Sequence, residues 1–338
     1  MLKVGLIGAG FMGGMHAACY EALSSEVKVV AVADVIKEKA EKIAGKFNSD
    51  TYSSGEELIK SADVDIIDIC LPTYLHASHA VKAMEKGRAV FIEKPVCLLL
   101  EEGRLLLETQ NKTGAKVMVG QCIRFWPEYE WLKNIVNDKT YGNVRSAVFT
   151  RISPKPTWSW DGWILDPKRS GSVALDLHIH DTDYIRSIFG EPLGVASEVV
   201  RDDLGVIEQI ITNYKYSGPL VTAEGAWGYP PEFPFSMEYR VMFDKATAVY
   251  KSGNTPSLSV YTEKGETLIP SLDKEDLDSS DVGGNVSDLG GYFNELKYFV
   301  GLVKNNLPIA KATLNEAVKS FELVVSEIKS AGGQSPIY

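Results

Sequence analysis

Two groups of residues in this chain have types and spacings suited to chemistry. The first is Gly8-Ala9-Gly10-Phe11-Met12-Gly13, a G-x-G-x-x-G run that follows a short apolar strand and opens a helix. In that context each glycine has its own task. Gly8 allows a tight turn, Gly10 lets a pyrophosphate approach the backbone, and Gly13 lets helix and strand pack closely. The helix start, with Phe11 and Met12, offers backbone N–H groups and a partial positive charge to phosphate. Asp34 ends the next strand, about twenty residues on, where a carboxylate takes the ribose 2′-hydroxyl and repels a 2′-phosphate. Val35 and Ile36 follow it, with no arginine to cradle such a phosphate. The motif therefore predicts a dinucleotide cofactor, NAD rather than NADP.

The second group is Asp176-Leu177-His178-Ile179-His180. On a helix, Asp176 and His180 are four apart and face the same way, Asp183 and Tyr184 continue that face, and His178 points elsewhere. A carboxylate beside an imidazole orients a base, as removal of an alcohol proton during hydride transfer requires. Ligands of open parallel sheets sit beyond the carboxyl ends of the strands. Three further segments fall there: Leu71-Pro72-Thr73-Tyr74-Leu75-His76, Glu93-Lys94-Pro95, and Gln121-Cys122-Ile123-Arg124-Phe125. They supply Leu71, Pro72, Thr73, His76, Glu93, Lys94 and Gln121 as candidate cofactor contacts, and Lys94 and Arg124 as candidate substrate contacts. Lys94 follows a buried strand, so its charge must point at something polar, and a cis bond to Pro95 is plausible. The loop Trp158-Ser159-Trp160-Asp161-Gly162-Trp163 offers aromatic faces that suit sugar rings, with Trp160 and Trp163 as the candidates. An interface or core cluster is the alternative for that loop. His76 and His79 share a helix face without companion ligands, so no metal is expected.

These residues need a scaffold, and the rest of the chain describes one. At 338 residues, two domains are expected, divided here as 1–122 and 123–338, with the C-terminal helix able to return to the first. The first part alternates apolar strands with helices, the pattern of an α/β Rossmann domain with a doubly wound parallel sheet. Past residue 122 the texture changes. After a helix over Val173–Phe189 come strand-like runs at Gly194–Val200, Val206–Tyr216, Leu220–Trp227, Ser236–Phe243, Ala246–Tyr250 and Leu258–Tyr261. Few helices separate them, so this α+β domain should hold an open, largely antiparallel sheet. Lys274–Gly290, acidic and rich in Ser and Gly, reads as a mobile loop, and two helices end the chain. Apolar and aromatic residues on the outer sheet face, within Val206–Tyr216 and Ser236–Phe243, predict a homodimer or homotetramer through that face.

Composition narrows the partners. The net charge is −10 and no basic run occurs, which argues against nucleic acid and anionic membranes. No apolar run has the length of a membrane span, and Met1–Ile7 reads as a first strand, not a signal peptide. The four cysteines lack C-x-x-C spacing and read as reduced thiols of a cytoplasmic protein.

The Gly8–Gly13 fingerprint, Pro72-Thr73 with His76, Glu93-Lys94-Pro95, Arg124-Phe125, and Trp163 leading into Asp176-x-x-x-His180 occur together in order. In this the chain resembles the glucose–fructose oxidoreductase/inositol dehydrogenase/rhizopine catabolism (Gfo/Idh/MocA) family over nearly its whole length. The resemblance implies that Lys94 hydrogen-bonds the reacting oxygen near the nicotinamide. It likewise implies that Asp176 binds substrate and that His180 is the general acid/base. The activity implied is NAD-dependent oxidation or reduction of a secondary alcohol on a sugar, sugar acid or cyclic polyol such as an inositol. Two alternatives are an NAD-dependent glycosidase working by transient oxidation and a non-catalytic NAD-binding regulator. The sequence departs from the family pattern at Ile164, where a basic residue is usual, and at Cys97-Leu98-Leu99, where a Ser or Thr cap is absent.

Overall fold

The computed structural model describes residues 1–273 and 289–332. The expected loop over Lys274–Gly290 lies almost wholly outside the described residues. The chain forms two compact units: Met1–Phe125 with Glu275–Lys319, and Trp126–Lys274 with Ser320–Tyr338. Among the described residues no helix is long and apolar enough to cross a membrane.

The first unit runs β1 (Leu2–Ile7), α1 (Phe11–Ala22), β2 (Val27–Ala33), α2 (Lys37–Phe47), β3 (Asp50–Tyr52), α3 (Gly55–Ser61), β4 (Ile66–Ile69), α4 (His76–Glu85), β5 (Ala89–Glu93), α5 (Leu100–Thr113) and β6 (Val117–Gly120). Its six strands lie in the order β3-β2-β1-β4-β5-β6, and every neighbouring pair is parallel. That is the doubly wound order, with a crevice between β1 and β4 where the winding reverses. The strands are apolar on both faces because helices cover both: Val4, Leu6, Val29, Ile67, Phe91, Ile92 and Val119 are fully buried.

The second unit starts with α6 (Pro127–Asp138), β7 (Val144–Pro154), α7 (Pro167–Ser170) and α8 (Ile179–Phe189). Strands β8 (Gly194–Arg201), β9 (Ile207–Lys215), β10 (Leu220–Tyr229), β11 (Ser236–Phe243), β12 (Ala246–Lys251), β13 (Leu258–Thr262) and β14 (Thr267–Leu268) follow. Helices α9 (Gly290–Lys304) and α10 (Leu314–Ser330) close the chain. Helix α9 and the start of α10 belong to the first unit, where Phe299 packs edge-on against Phe91 at 5.6 Å.

The second sheet has eight strands in the order β14-β13-β12-β11-β7-β10-β9-β8. Its pairs are antiparallel except at the centre, where β7 and β10 run parallel. One face is a packed aromatic layer: Tyr129 contacts the rings of Tyr184, Tyr239 and Tyr250 at 4.8, 5.3 and 5.5 Å. The strict period of two sends Tyr214, Tyr239 and Phe243 into this layer. The outer face of the two segments singled out in the sequence therefore carries no aromatic ring; its apolar members are Ile211 and Met242, set among Glu208, Asn213, Glu238 and Arg240.

The helix expected over Val173–Phe189 is not a single α-helix. Ala174–His178 form a π-helical turn, and regular helix begins at Ile179. The turn presses on β10, where a Cβ at Gly225 would lie 2.6 Å from the Cβ of His178. Glycine at that strand position is what lets the helix come so close.

A buried ion pair ties α8 to β7: Arg151 Nε donates to Asp181 Oδ2 at 2.9 Å, with both side chains out of solvent. Removing one partner strands the other charge. Arg151→Met should lower unfolding free energy by about 3–5 kcal/mol in urea titration, and Arg151→Met with Asp181→Leu should recover most of it. A double variant no more stable than the single one would contradict this account of the pair.

Candidate active site

At the start of α1 the three fingerprint glycines meet different surroundings. Gly8 has φ +96°, and a Cβ there would sit 2.5 Å from the Cys70 carbonyl oxygen. A Cβ at Gly13 would sit 1.9 Å from the Gly8 carbonyl oxygen. The fold itself demands these two glycines. Gly10 is exposed, and a Cβ there would meet nothing within 4 Å. Folding does not require glycine at this position, whereas close approach of a pyrophosphate does. The first internal bond of α1 runs from Gly14 N–H to the Gly10 carbonyl at 3.0 Å. Phe11 and Met12 form the turn ahead of it and pack partly against the core. Asp34 is oriented by two backbone donors, Ala9 N–H to Oδ2 at 2.7 Å and Ile36 N–H to Oδ1 at 2.8 Å. Its carboxylate thus stands beside the glycine turn, partly exposed.

The ends of β4, β5 and β6 carry the other predicted contacts. Leu71 and Pro72 are half-buried, and Thr73 is buried in a short 3₁₀ turn, Thr73–Leu75. The ring nitrogens of His76 lie against two carbonyls, Nε2 on Leu71 at 2.6 Å and Nδ1 on Pro95 at 2.8 Å. Burial holds His76 below the ordinary histidine range, outweighing those carbonyls. His76 thus fixes the two segments that bracket the site. Lys94 is half-buried, precedes a cis Pro95, and donates its backbone N–H to Glu93 Oε2 at 3.1 Å. Gln121 is 2% exposed, and neither Oε1 nor Nε2 has a hydrogen-bond partner among the described residues. A buried amide left so is costly, and a polar ligand group fits it. Arg124 is buried, with Nη1 donating to Glu316 Oε1 at 2.8 Å inside the same unit.

Beneath these segments lies a group of ionisable residues of which motif reading singled out Glu93 alone. His16 Nδ1 lies 2.8 Å from Asp68 Oδ2, and Nε2 lies 3.1 Å from Glu93 Oε1. Tyr20 donates its hydroxyl to Asp68 Oδ2 at 2.9 Å. Glu295 of α9 is also fully buried nearby, its carboxyl within 4.8 Å of His16 and Glu93. Burial works against charge on His16, but Asp68 and Cys70 together outweigh it and hold the ring well above the usual histidine range. Burial, with Glu93 adding, holds Glu295 well above the usual carboxyl range. Asp68 carried a signal of its own: a carboxylate inside Ile66-Ile67-Asp68-Ile69 needs a buried partner.

In the second unit Asp176 sits half-buried in the π turn and His180 on the first turn of α8, 8% exposed. The next four residues are each tied to the interior. Asp181 holds Arg151, Thr182 meets the Tyr214 hydroxyl at 2.8 Å, Asp183 accepts from Ser320 at 2.7 Å, and Tyr184 donates to the Tyr129 carbonyl. Asp183 and Tyr184 thus belong to the packing and do not extend a site face. His178, fully buried, pairs with Glu327 of α10 at 3.0 Å. In the tryptophan loop Trp158 and Trp160 are exposed, Trp163 is half-buried, and Ile164 is buried as an apolar anchor. Arg169 Nη1 holds Asp161 there at 3.0 Å.

Comparison with known proteins accords with this arrangement. Residues 2–121 match the model of an oxidoreductase family with an NAD-binding Rossmann fold, and residues 129–249 match the Gfo/Idh/MocA C-terminal domain. The chain belongs to the Gfo/Idh/MocA family. Among curated members, it is 34% identical over 198 residues to inositol 2-dehydrogenase of Rhizobium meliloti (strain 1021), covering 58% of each chain. It is 30% identical over 224 residues to scyllo-inositol 2-dehydrogenase (NAD(+)) of Bacillus subtilis (strain 168), covering 64% of each. These matches span roughly three-fifths of the curated relatives' length. In fold, the chain superposes on a levoglucosan dehydrogenase in complex with NADH and levoglucosan with TM-score 0.84, at 19% identity, over 98% of this chain and 97% of that one.

Two outcomes follow for this Gfo/Idh/MocA member. Gly10→Ala should fold normally yet weaken binding of the dinucleotide by about tenfold or more, whereas Gly13→Ala should damage folding itself. Thermal melts and a binding titration check this, and a Gly10→Ala protein with unchanged affinity would contradict it. His16 and Glu295 also set a pH dependence. Each holds a proton in the fold that the unfolded chain releases above its ordinary value, 6.5 for histidine and 4.5 for glutamate. The native state then binds more protons than the unfolded one. Stability should fall as pH rises, from about 4.5 on account of Glu295 and more steeply from about 6.5 once His16 joins it, by up to about 1.4 kcal/mol per pH unit per proton. Urea midpoints across that range should show the decline, and Glu295→Gln should reduce its slope. A flat or rising profile would contradict it.

Proposed function

We propose that this protein is an NAD-dependent dehydrogenase that oxidises or reduces a secondary alcohol on a cyclic polyol or sugar. Supporting this reading are both family domains, the kinship with inositol dehydrogenases, and the resemblance of Glu93-Lys94-Pro95 and Asp176-x-x-x-His180 to motifs of the family. The observation that carries it is the start of α8. Four successive residues after His180 are locked into the interior, which fixes His180 in place as proton transfer requires. A regulator that only bound the cofactor would need no such base.

NAD+, held at the Gly10 turn and by Asp34, would supply the acceptor for hydride from the carbinol carbon. His180 takes the hydroxyl proton, and Asp176 orients the substrate. Lys94 stabilises the oxygen as charge develops on it. The Gly10 turn receives the pyrophosphate, Asp34 the ribose hydroxyls, and Gln121 a polar group of the cofactor or substrate. Thr73, Leu71 and Pro72 line the cofactor, and His76 keeps them in place. Trp160, Trp163 and Arg124 are assigned to the substrate side. The reading includes a homodimer or dimer of dimers through the outer face of the eight-stranded sheet, where Val200, Ile211, Met242 and Tyr261 are exposed.

Screening inositols, aldoses and sugar acids for NADH formation should reveal turnover with a cyclic polyol or sugar. A glycosidase that recycles its cofactor, or a non-catalytic regulator, would yield no net NADH. Lys94→Ala and His180→Ala should each lower kcat by roughly 10²-fold or more, with NAD+ binding retained in His180→Ala. Near-normal turnover in either variant would remove that residue from the mechanism. NAD+ should bind at least about tenfold tighter than NADP+, and Asp34→Ser should narrow the gap. Equal affinity in the unmutated protein would overturn the cofactor assignment.

A further inference from the structure

His16, Asp68, Glu93 and Glu295 are all but excluded from solvent, and the mechanism above uses none of them. Their geometry leads toward Lys94. His16 sits on α1, the helix whose first turn forms the glycine cradle. Each of its ring nitrogens faces a carboxylate oxygen, Asp68 at 2.8 Å and Glu93 at 3.1 Å. A carboxylate only accepts, and a neutral imidazole has a single N–H, so only the doubly protonated ring satisfies both contacts. The second oxygen of Glu93 accepts the backbone N–H of Lys94 at 3.1 Å. Strand β6 leaves room for this carboxyl, since a Cβ at Gly120 would lie 2.8 Å from Glu93 Oε1. A continuous chain of hydrogen bonds therefore runs from α1 through His16 and Glu93 to the backbone of Lys94.

We propose that His16 is a positioning residue for the reaction: its imidazolium, clamped between Asp68 and Glu93, orients the Glu93 carboxylate, which sets the Lys94 backbone and so aims the lysine. This inference rests on the role given to Lys94 above. A cation held by His16, Glu93 and Glu295 is the competing use of these groups, whose donor atoms lie within 4.8 Å of one another. It would need a bare ring nitrogen, and both nitrogens already point at carboxylates. The other titratable groups facing the ring are Cys19, Tyr20, Cys70 and, from α9, Glu295, whose carboxyl burial holds well above the usual range. Tyr20 donates to Asp68, and burial pushes the Cys70 thiol up so that it stays protonated. The two ring nitrogens are thus left to the oxygens of Asp68 and Glu93.

Two measurements test the proposal. In protein labelled with 15N at histidine, His16 should show both ring nitrogens still protonated well past the ordinary histidine range. A neutral ring or a metal-ligated nitrogen would overturn the proposal, and this readout needs no variant to fold. In kinetics, His16→Gln should lower kcat about 10- to 100-fold, the scale of a misaimed catalytic group, with NAD+ affinity and KM within about twofold. Made in the Lys94→Ala background, the same change should cost little more, because the group it aims is gone. An equal loss in both backgrounds would overturn positioning through Lys94. Full activity in Lys94→Ala alone would instead remove Lys94 from the reaction, a distinct result that takes the kinetic arm of this inference with it.

Discussion

A histidine with a carboxylate at each ring nitrogen sits at the centre of the first unit. His16 ties α1 to β4 through Asp68 and to β5 through Glu93. Those strands end in the segments that bracket the candidate site, Leu71–His76 and Lys94–Pro95, and α1 itself begins in the glycine turn. Buried ions seldom add net stability, since desolvation offsets most of their attraction, but they permit few alternative arrangements. The close approach of Gly13 to Gly8 works in the same direction one turn earlier on the helix. Cradle and lysine segment are thus parts of one rigid assembly, with its geometry set from beneath.

The second unit follows a similar plan with different residues. His178 and Glu327 are fully buried as a pair, and Arg151 and Asp181 as another. They hold the π turn and α8 against the sheet, and Asp176 and His180 project from those two elements. A π turn inserts a residue into the helical register, a feature often found at functional sites. Here Asp176 stays half-buried while His178, two residues on, is driven inward over Gly225.

Much of this could be read from the residues in order. The glycine fingerprint, the strands apolar on both faces, and Asp34 at the end of β2 are local signals, and the parallel sheet and its cradle follow from them. The π turn was not legible, because Asp-x-x-x-His fits an α-helix equally well and the cause of the extra residue, contact with Gly225, is distant in sequence. The parallel pairing of β7 with β10 escaped for the same reason, since strand pairing across long connections leaves no local mark. The sequence of β9 and β11 raised an expectation of apolar and aromatic residues on the outer face; alternation leaves Ile211 and Met242 there and places the aromatic residues in the core. Glu327 and Glu295 sit in helices whose patterns show only amphipathic faces. That Glu327 pairs with His178 and that Glu295 lies near His16 becomes evident in three dimensions alone.

The central claim is direct hydride transfer from a secondary alcohol to the cofactor, and isotope tracing tests it most directly. Each polyol or sugar that supports turnover would be supplied with deuterium on its carbinol carbon, and the reduced cofactor analysed by mass spectrometry and NMR. The account predicts one deuterium at C4 of the nicotinamide in the NADH formed, in step with ketone product. Reduced cofactor without the label, or label lost from substrate with no net NADH, would contradict it.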